Sequence, residues 1–124
     1  MRPRAAHARR VTLPLITKRI ALGASSSASA LTDDQFEYLP YNALVEFGLL
    51  ADATGVLATI FSGSDLLMDE GPVAIGAINV FPKFPDDYHL TDVAAGGERL
   101  KIRLRDTSGV ARVVMIGVRI SQIA

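Results

Sequence analysis

The sequence contains no cysteine, no tryptophan and only two histidines, His7 and His89. Without cysteine there are no disulfides, no thiolate nucleophile and no zinc site built on thiolates. Two histidines fall short of the several that a cupin-type metal enzyme needs. No apolar run approaches the ~18 residues of a membrane span. A Gly-rich phosphate loop, a histidine pair at metal spacing and a nucleophile elbow are also missing. Helical patterning is equally scarce, with no dozen-residue window keeping apolar residues at 3, 4, 7 spacing between caps. These absences point away from an enzyme, and neither a cofactor nor a metal is expected.

What remains suits one folded unit. The chain has 124 residues, 49% hydrophobic and 21% charged, enough for a single domain with one core. Net charge is zero, but the signs are segregated. Residues 1–19 hold Arg2, Arg4, Arg9, Arg10, Lys18 and Arg19 and no acid. Residues 20–98 hold twelve acids and one base, Lys83, and residues 99–124 return six bases against Asp106. Such a chain can present basic and acidic surfaces on one body, so that copies attract one another. Arg9-Arg10 and Ala28-Ser29-Ala30 bear a faint likeness to the parts of an export signal. Pro14 and Lys18-Arg19 break the apolar stretch between them, so residues 1–10 read as a flexible basic arm and 11–124 as the domain.

Short apolar runs separated by Gly, Ser, Asp and Pro read as strands. Residues 11–22 form a first strand, with Pro14 marking an edge or a bulge, and 23–34 a loop. A short strand follows at 35–39. Residues 43–51 alternate, with Ala43, Val45, Phe47 and Leu49 on one face. The turn Asp52-Ala53-Thr54-Gly55 sends 56–62 back antiparallel, and Gly63-Ser64 turns the chain again. Residues 65–68 form a strand that Gly71-Pro72 ends, and 73–84 a connection that Pro82 and Pro85 keep out of a sheet centre. Strands follow at 88–93, at 99–105 and, after Asp106-Thr107-Ser108-Gly109, at 111–123. The two turns are alike, and each is expected to close a hairpin, 43–51 with 56–62 and 99–105 with 111–123. The result is an all-β fold: an eight-stranded antiparallel β-sandwich, jelly-roll-like. Its core includes Val45, Phe47, Leu49, Ile60, Leu100, Ile102, Leu104, Ile116 and Val118.

Two features stand out. Arg99, Lys101, Arg103 and Arg105 make an outward cationic stripe, which water, neighbouring acids or a partner must relieve, unless it guards an edge strand. The last strand is apolar on both faces, with Val113 and Met115 opposite Val114, Ile116, Val118 and Ile120. A two-layer sandwich uses one such face, so the second is expected to meet a neighbouring subunit rather than a loop of its own chain. The acid pairs Asp33-Asp34, Asp69-Glu70 and Asp86-Asp87 lack metal-loop spacing and read as solvated.

The stretches FEYLPYNALVEFGLLADATGVLATIFSGSD, GPV, PDDY and AAGGERLKIRLRDTSG resemble small jelly-roll structural proteins of bacteriophages: minor capsid, decoration and spike-base proteins. The resemblance, over residues 35–123, is one of texture, in alanine- and glycine-rich short strands behind a basic arm. It implies a virion subunit that binds itself and other virion proteins, and carries no catalytic residues. The expected interface is Arg2, Arg4, Arg9, Arg10, Arg99, Lys101, Arg103, Arg105, Val113 and Met115. Nucleic acid on the basic arm is the weaker expectation, and no membrane contact is expected. The alternative is a trimeric carbohydrate- or ligand-binding module with its site in loops 23–34 or 73–88.

Overall fold

Period-two alternation carries through into nine strands in the computed structural model, which describes residues 15–32, 34–77 and 80–123. They are β1 (Leu15–Leu22), β2 (Ser27–Ser29), β3 (Ala43–Ala51), β4 (Val56–Ser62), β5 (Asp65–Pro72), β6 (Ala74–Ile75), β7 (Tyr88–Ala94), β8 (Leu100–Asp106) and β9 (Arg112–Gln122). No helix occurs among the described residues.

The strands form two sheets. One runs β1-β9-β3, with β7 and the short β6 both on the far edge of β3; the other runs β2-β8-β4-β5. All pairings are antiparallel except β3 with β6. Setting β6 aside, the chain crosses between the sheets so that the last strand sits beside the first and the next-to-last beside the second. That interleaved order is a jelly roll, as the alternation anticipated.

The inner faces make the core. Val45 and Phe47 of β3 and Val114, Ile116, Val118 and Ile120 of β9 are buried with Val56, Ala58 and Ile60 of β4 and Leu100, Ile102 and Leu104 of β8. Each large side chain removed from water contributes about 1.5–3 kcal/mol, so these four strands supply most of the cohesion. Of the expected core only Leu49 is half-buried.

Both expected hairpins are corrected. β3 pairs with β9 and β7, not with β4, and β8 pairs with β4 and β2, not with β9. The turns at 52–55 and 107–111 arch from one sheet to the other. Alternation around a Gly turn is the same for a hairpin and an arch, because both return an apolar face to one core. The two arches lie against each other: the Thr107 N–H donates to the Gly55 carbonyl at 2.7 Å, and a Cβ on Gly55 would stand 2.6 Å from the Ser108 Cβ. Asp106 anchors the second arch, accepting bonds from the backbone N–H of Ser25 and from the N–H and hydroxyl of Ser108.

Three boundaries also differ. The 23–34 loop contains β2. Residues 35–39 give only an isolated bridge between Tyr38 and Arg99. β5 runs on through Gly71-Pro72. It does so over a bulge at which Glu70 takes a left-handed φ of 49°, and Pro72 is tolerated because β5 is an edge strand. Residues 11–14 of the expected first strand, and the arm at 1–10, lie outside the described residues.

Candidate interaction surfaces

The outer face of the β1-β9-β3 sheet has a flat centre. Gly48 and Gly117 are register partners there, leaving a slot with no side chains. Tyr88, paired with Gly48 at the start of β7, fills it; a Cβ on Gly117 would collide with its hydroxyl, and one on Gly48 would stand 2.8 Å from the Asp87 carbonyl oxygen and 2.9 Å from Pro82. Phe84 packs edge-on against Tyr88 with centroids 5.4 Å apart, and the Arg119 guanidinium lies 4.0 Å over the Phe84 ring. A closed turn shapes this roof. The Asp87 N–H donates to the Lys83 carbonyl, and the Asp87 carboxylate accepts from the Lys83 N–H, both at 2.8 Å. Burial pushes the Tyr88 phenol above its ordinary value, against the pull of Arg119. The central part of the second apolar face is thus roofed by the chain's own connection. Met115, on this face between Arg19 and Leu50, is only 2% exposed within the single chain, and Val113 is half-buried. Met115 therefore has almost no surface to offer a neighbour.

The outer face of the β2-β8-β4-β5 sheet carries the cationic stripe. Lys101, Arg103 and Arg105 point outward between the buried Leu100, Ile102 and Leu104. Arg99 donates to Glu37 at 2.6 Å and 2.8 Å, and Arg105 is bound by both carboxylate oxygens of Glu70. Glu70 is drawn below its ordinary carboxylate value, chiefly by the hydrogen bond from Arg105. Lys101 and Arg103 have no hydrogen-bond or ion-pair partner among the described residues. They line an open depression of about 350 Å³ with Thr59, Phe61, Asp69, Glu70 and Arg105, all residues of β4, β5 and β8. So the stripe and the pair Val113–Met115 lie on opposite sides of the sandwich. Arg2, Arg4, Arg9 and Arg10 lie outside the described residues.

A third region lies at the rim where the sheets part. Asp65 begins β5 and Asp92 lies on β7; Asp92 holds the Asp65 carboxyl above its ordinary value, first by charge and then by a shared hydrogen bond, with Glu98 adding a smaller push. One Asp92 oxygen is buried without a partner, as is the hydroxyl of Ser62, the register partner of Asp65. None of Asp65, Asp92 and Glu98 forms an ion pair among the described residues. Val93 and Ile123 beside them are 63% and 39% exposed, and they line one shallow depression with Asp65 and Glu98. The sequence held no signal for this cluster, because its acids lie far apart in the chain.

Other candidates resolve into structure. Asp34 takes Lys18 at 2.7 Å and the Phe36 N–H at 2.9 Å; burial alone would raise its carboxyl, but these partners hold it below its ordinary value. His89 lines an apolar pit between β3, β5 and β7. Among the described residues no three His, Asp or Glu side chains stand close enough to hold a metal. No family model, no curated protein and no solved structure matches the chain.

Proposed function

We propose that the chain is a virion structural protein, a capsid, minor capsid or decoration subunit of a bacteriophage, that works by self-assembly and by contacts with other virion proteins and not by catalysis. The observation that supports this most is the interleaved jelly-roll order carrying an open, cationic sheet face with two unpaired cations. A face of that kind suits a repeated protein contact, in which charge selects partner and register. The basic arm, with Arg2, Arg4, Arg9 and Arg10, adds a second tie to neighbours under this reading.

The ligand-binding alternative draws less support. Its 73–88 loop is spent on roofing a sheet, and its 23–34 loop contains a strand that pairs with β8. Light scattering on the purified full chain, followed by electron microscopy of native particles, tests the proposal. Assembly, and density of this shape repeated in a virion, is the expected result. Deleting residues 1–10 is expected to leave the folded sandwich intact and weaken assembly. A monomer at all concentrations, with no particle that contains it, overturns the reading.

A further inference from the structure

The chain has no net charge, yet two places on it hold charged side chains that no ion pair among the described residues engages. On the outer face of the β2-β8-β4-β5 sheet these are the Lys101 and Arg103 cations. At the rim between β5 and β7 they are Asp65, Asp92 and Glu98. Folding within the chain has already paired the flanking groups, Arg99 with Glu37 and Arg105 with Glu70. What is left over is therefore a pair of opposite centres, one on a sheet face and one at a rim.

Each centre also has apolar surface beside it. Leu57 and Phe61 are half-buried on the β4 side of the cations, while Val93 and Ile123 are exposed beside the acids. Apolar surface next to an unpaired charge suits a protein contact, in which burial supplies affinity and charge selects partner and register. The rim has a further reason to attract a cation. Asp65 and Glu98 line one depression and neither has an ion pair among the described residues, so a partner's ammonium or guanidinium would meet two carboxylates there.

We infer that the cationic face of one copy docks on the acidic rim of a second copy, Lys101 and Arg103 meeting Asp65 and Glu98 beside Val93 and Ile123. The inference rests on the assembly reading and gives it a surface. Because the two patches differ, the contact is head-to-tail. It propagates into a ring if the rotation closes and into an open array if it does not. The covered face of the other sheet takes no part.

Head-to-tail charge pairing has a signature that a nonspecific attraction lacks. Lys101→Glu with Arg103→Glu makes both patches acidic, and Asp65→Lys with Glu98→Lys makes both basic, since the two lysines outweigh the remaining Asp92. Each double variant alone is expected to associate about ten-fold or more weakly than the wild type by sedimentation at low salt. An equimolar mixture of the two is expected to regain association, because the acidic face of the first variant meets the basic rim of the second, while the native rim of the first meets the native face of the second. That recovery also shows that both variants are folded. Association of the wild type is expected to weaken as salt shortens the screening length toward ~8 Å.

If the wild type assembles and neither variant weakens it, this contact is wrong and the assembly reading stands. If the wild type stays monomeric at low salt, both fall. In that case retention of the wild type on a heparin column, lost with the Lys101→Glu and Arg103→Glu pair, would assign the face to an anionic glycan instead. Mixing without recovery overturns the pairing of these two patches. So does recovery that vanishes when residues 1–10 are deleted from both variants, since the arm would then be the cation donor.

Discussion

The β1-β9-β3-β7 sheet presents paired glycines at the centre of its outer face, and the chain folds Pro82, Phe84 and Tyr88 down over them. The β2-β8-β4-β5 sheet presents Thr59, Lys101 and Arg103 beside Asp69 and Glu70 on its outer face, and the depression there is bounded by strand residues alone. Both inner faces are lined by buried apolar side chains. The outer faces differ because bare backbone leaves room for an aromatic ring to lie flat, whereas long cations hold the surface open and keep their charge in water. One face is closed by the chain; the other is open among the described residues.

Four experiments would sharpen or break that comparison. The largest effect belongs to what the faces share. Truncating Phe47 or Ile102 to Ala, one from each inner face, is expected to cost about 2–5 kcal/mol in denaturant unfolding, from lost burial and the cavity left behind. A small loss at either site would mean that this sheet does not pack its inner face as described.

Next come the outer faces themselves. Gly48→Val meets the Asp87 carbonyl and Pro82, and Gly117→Val meets the Tyr88 ring. Each is expected to cost about 1–3 kcal/mol and to expose Tyr88, read as increased quenching of tyrosine fluorescence. Thr59→Ser, in the open depression, keeps the hydroxyl that accepts from the Glu70 N–H and is expected to stay within ~0.5 kcal/mol of the wild type. Equal costs on both faces would erase the distinction between a roofed and an open sheet.

The third experiment uses pH. The Asp92 carboxylate raises Asp65, so the folded chain holds that proton over a window above the ordinary Asp value where the unfolded chain has released it. This term adds stability as pH falls into the window and withdraws it as pH rises through the folded value. Asp106 has the opposite sign. Hydrogen bonds from the Ser108 hydroxyl and from the Ser25 and Ser108 N–H groups lower its carboxyl, so its contribution is present above the ordinary Asp value and is lost in acid. Melting temperature against pH is therefore expected to show Asp65→Asn gaining on the wild type at neutral pH and losing that gain in mild acid. Asp106→Asn is expected to be destabilised at neutral pH, with the deficit closing in acid.

The smallest effect is expected at the exposed Arg105–Glu70 pair. Arg105→Ala should leave the melting temperature nearly unchanged, because an ion pair in water returns little of what it costs to order two long side chains. A clear loss would make the open face part of the scaffold and weaken its claim as a docking surface.

Much of this was legible residue by residue. The inward set Leu100, Ile102 and Leu104 against outward Lys101, Arg103 and Arg105 follows from a period of two, and so do the buried Val45 and Phe47. The double apolar character of the last strand was legible as well, but not its cover. Met115 pointed to a neighbouring subunit; within the single chain its register partners are Arg19 and Leu50, and Pro82 and Tyr88 lie over the adjacent glycines. Gly48 and Gly117 lie far apart in the chain, and nothing local says that they face each other.

By itself the sequence determined the strand class, the inner faces, the turn positions and the segregation of charge, because these depend on neighbours one or two residues away. Only the tertiary structure decided which strands pair, that the two Asp-to-Gly turns are arches and not hairpins, and that Asp65 meets Asp92. Each of those is a contact between distant segments, fixed by how two apolar faces close on one core, and a local pattern is the same whichever partner the strand finds.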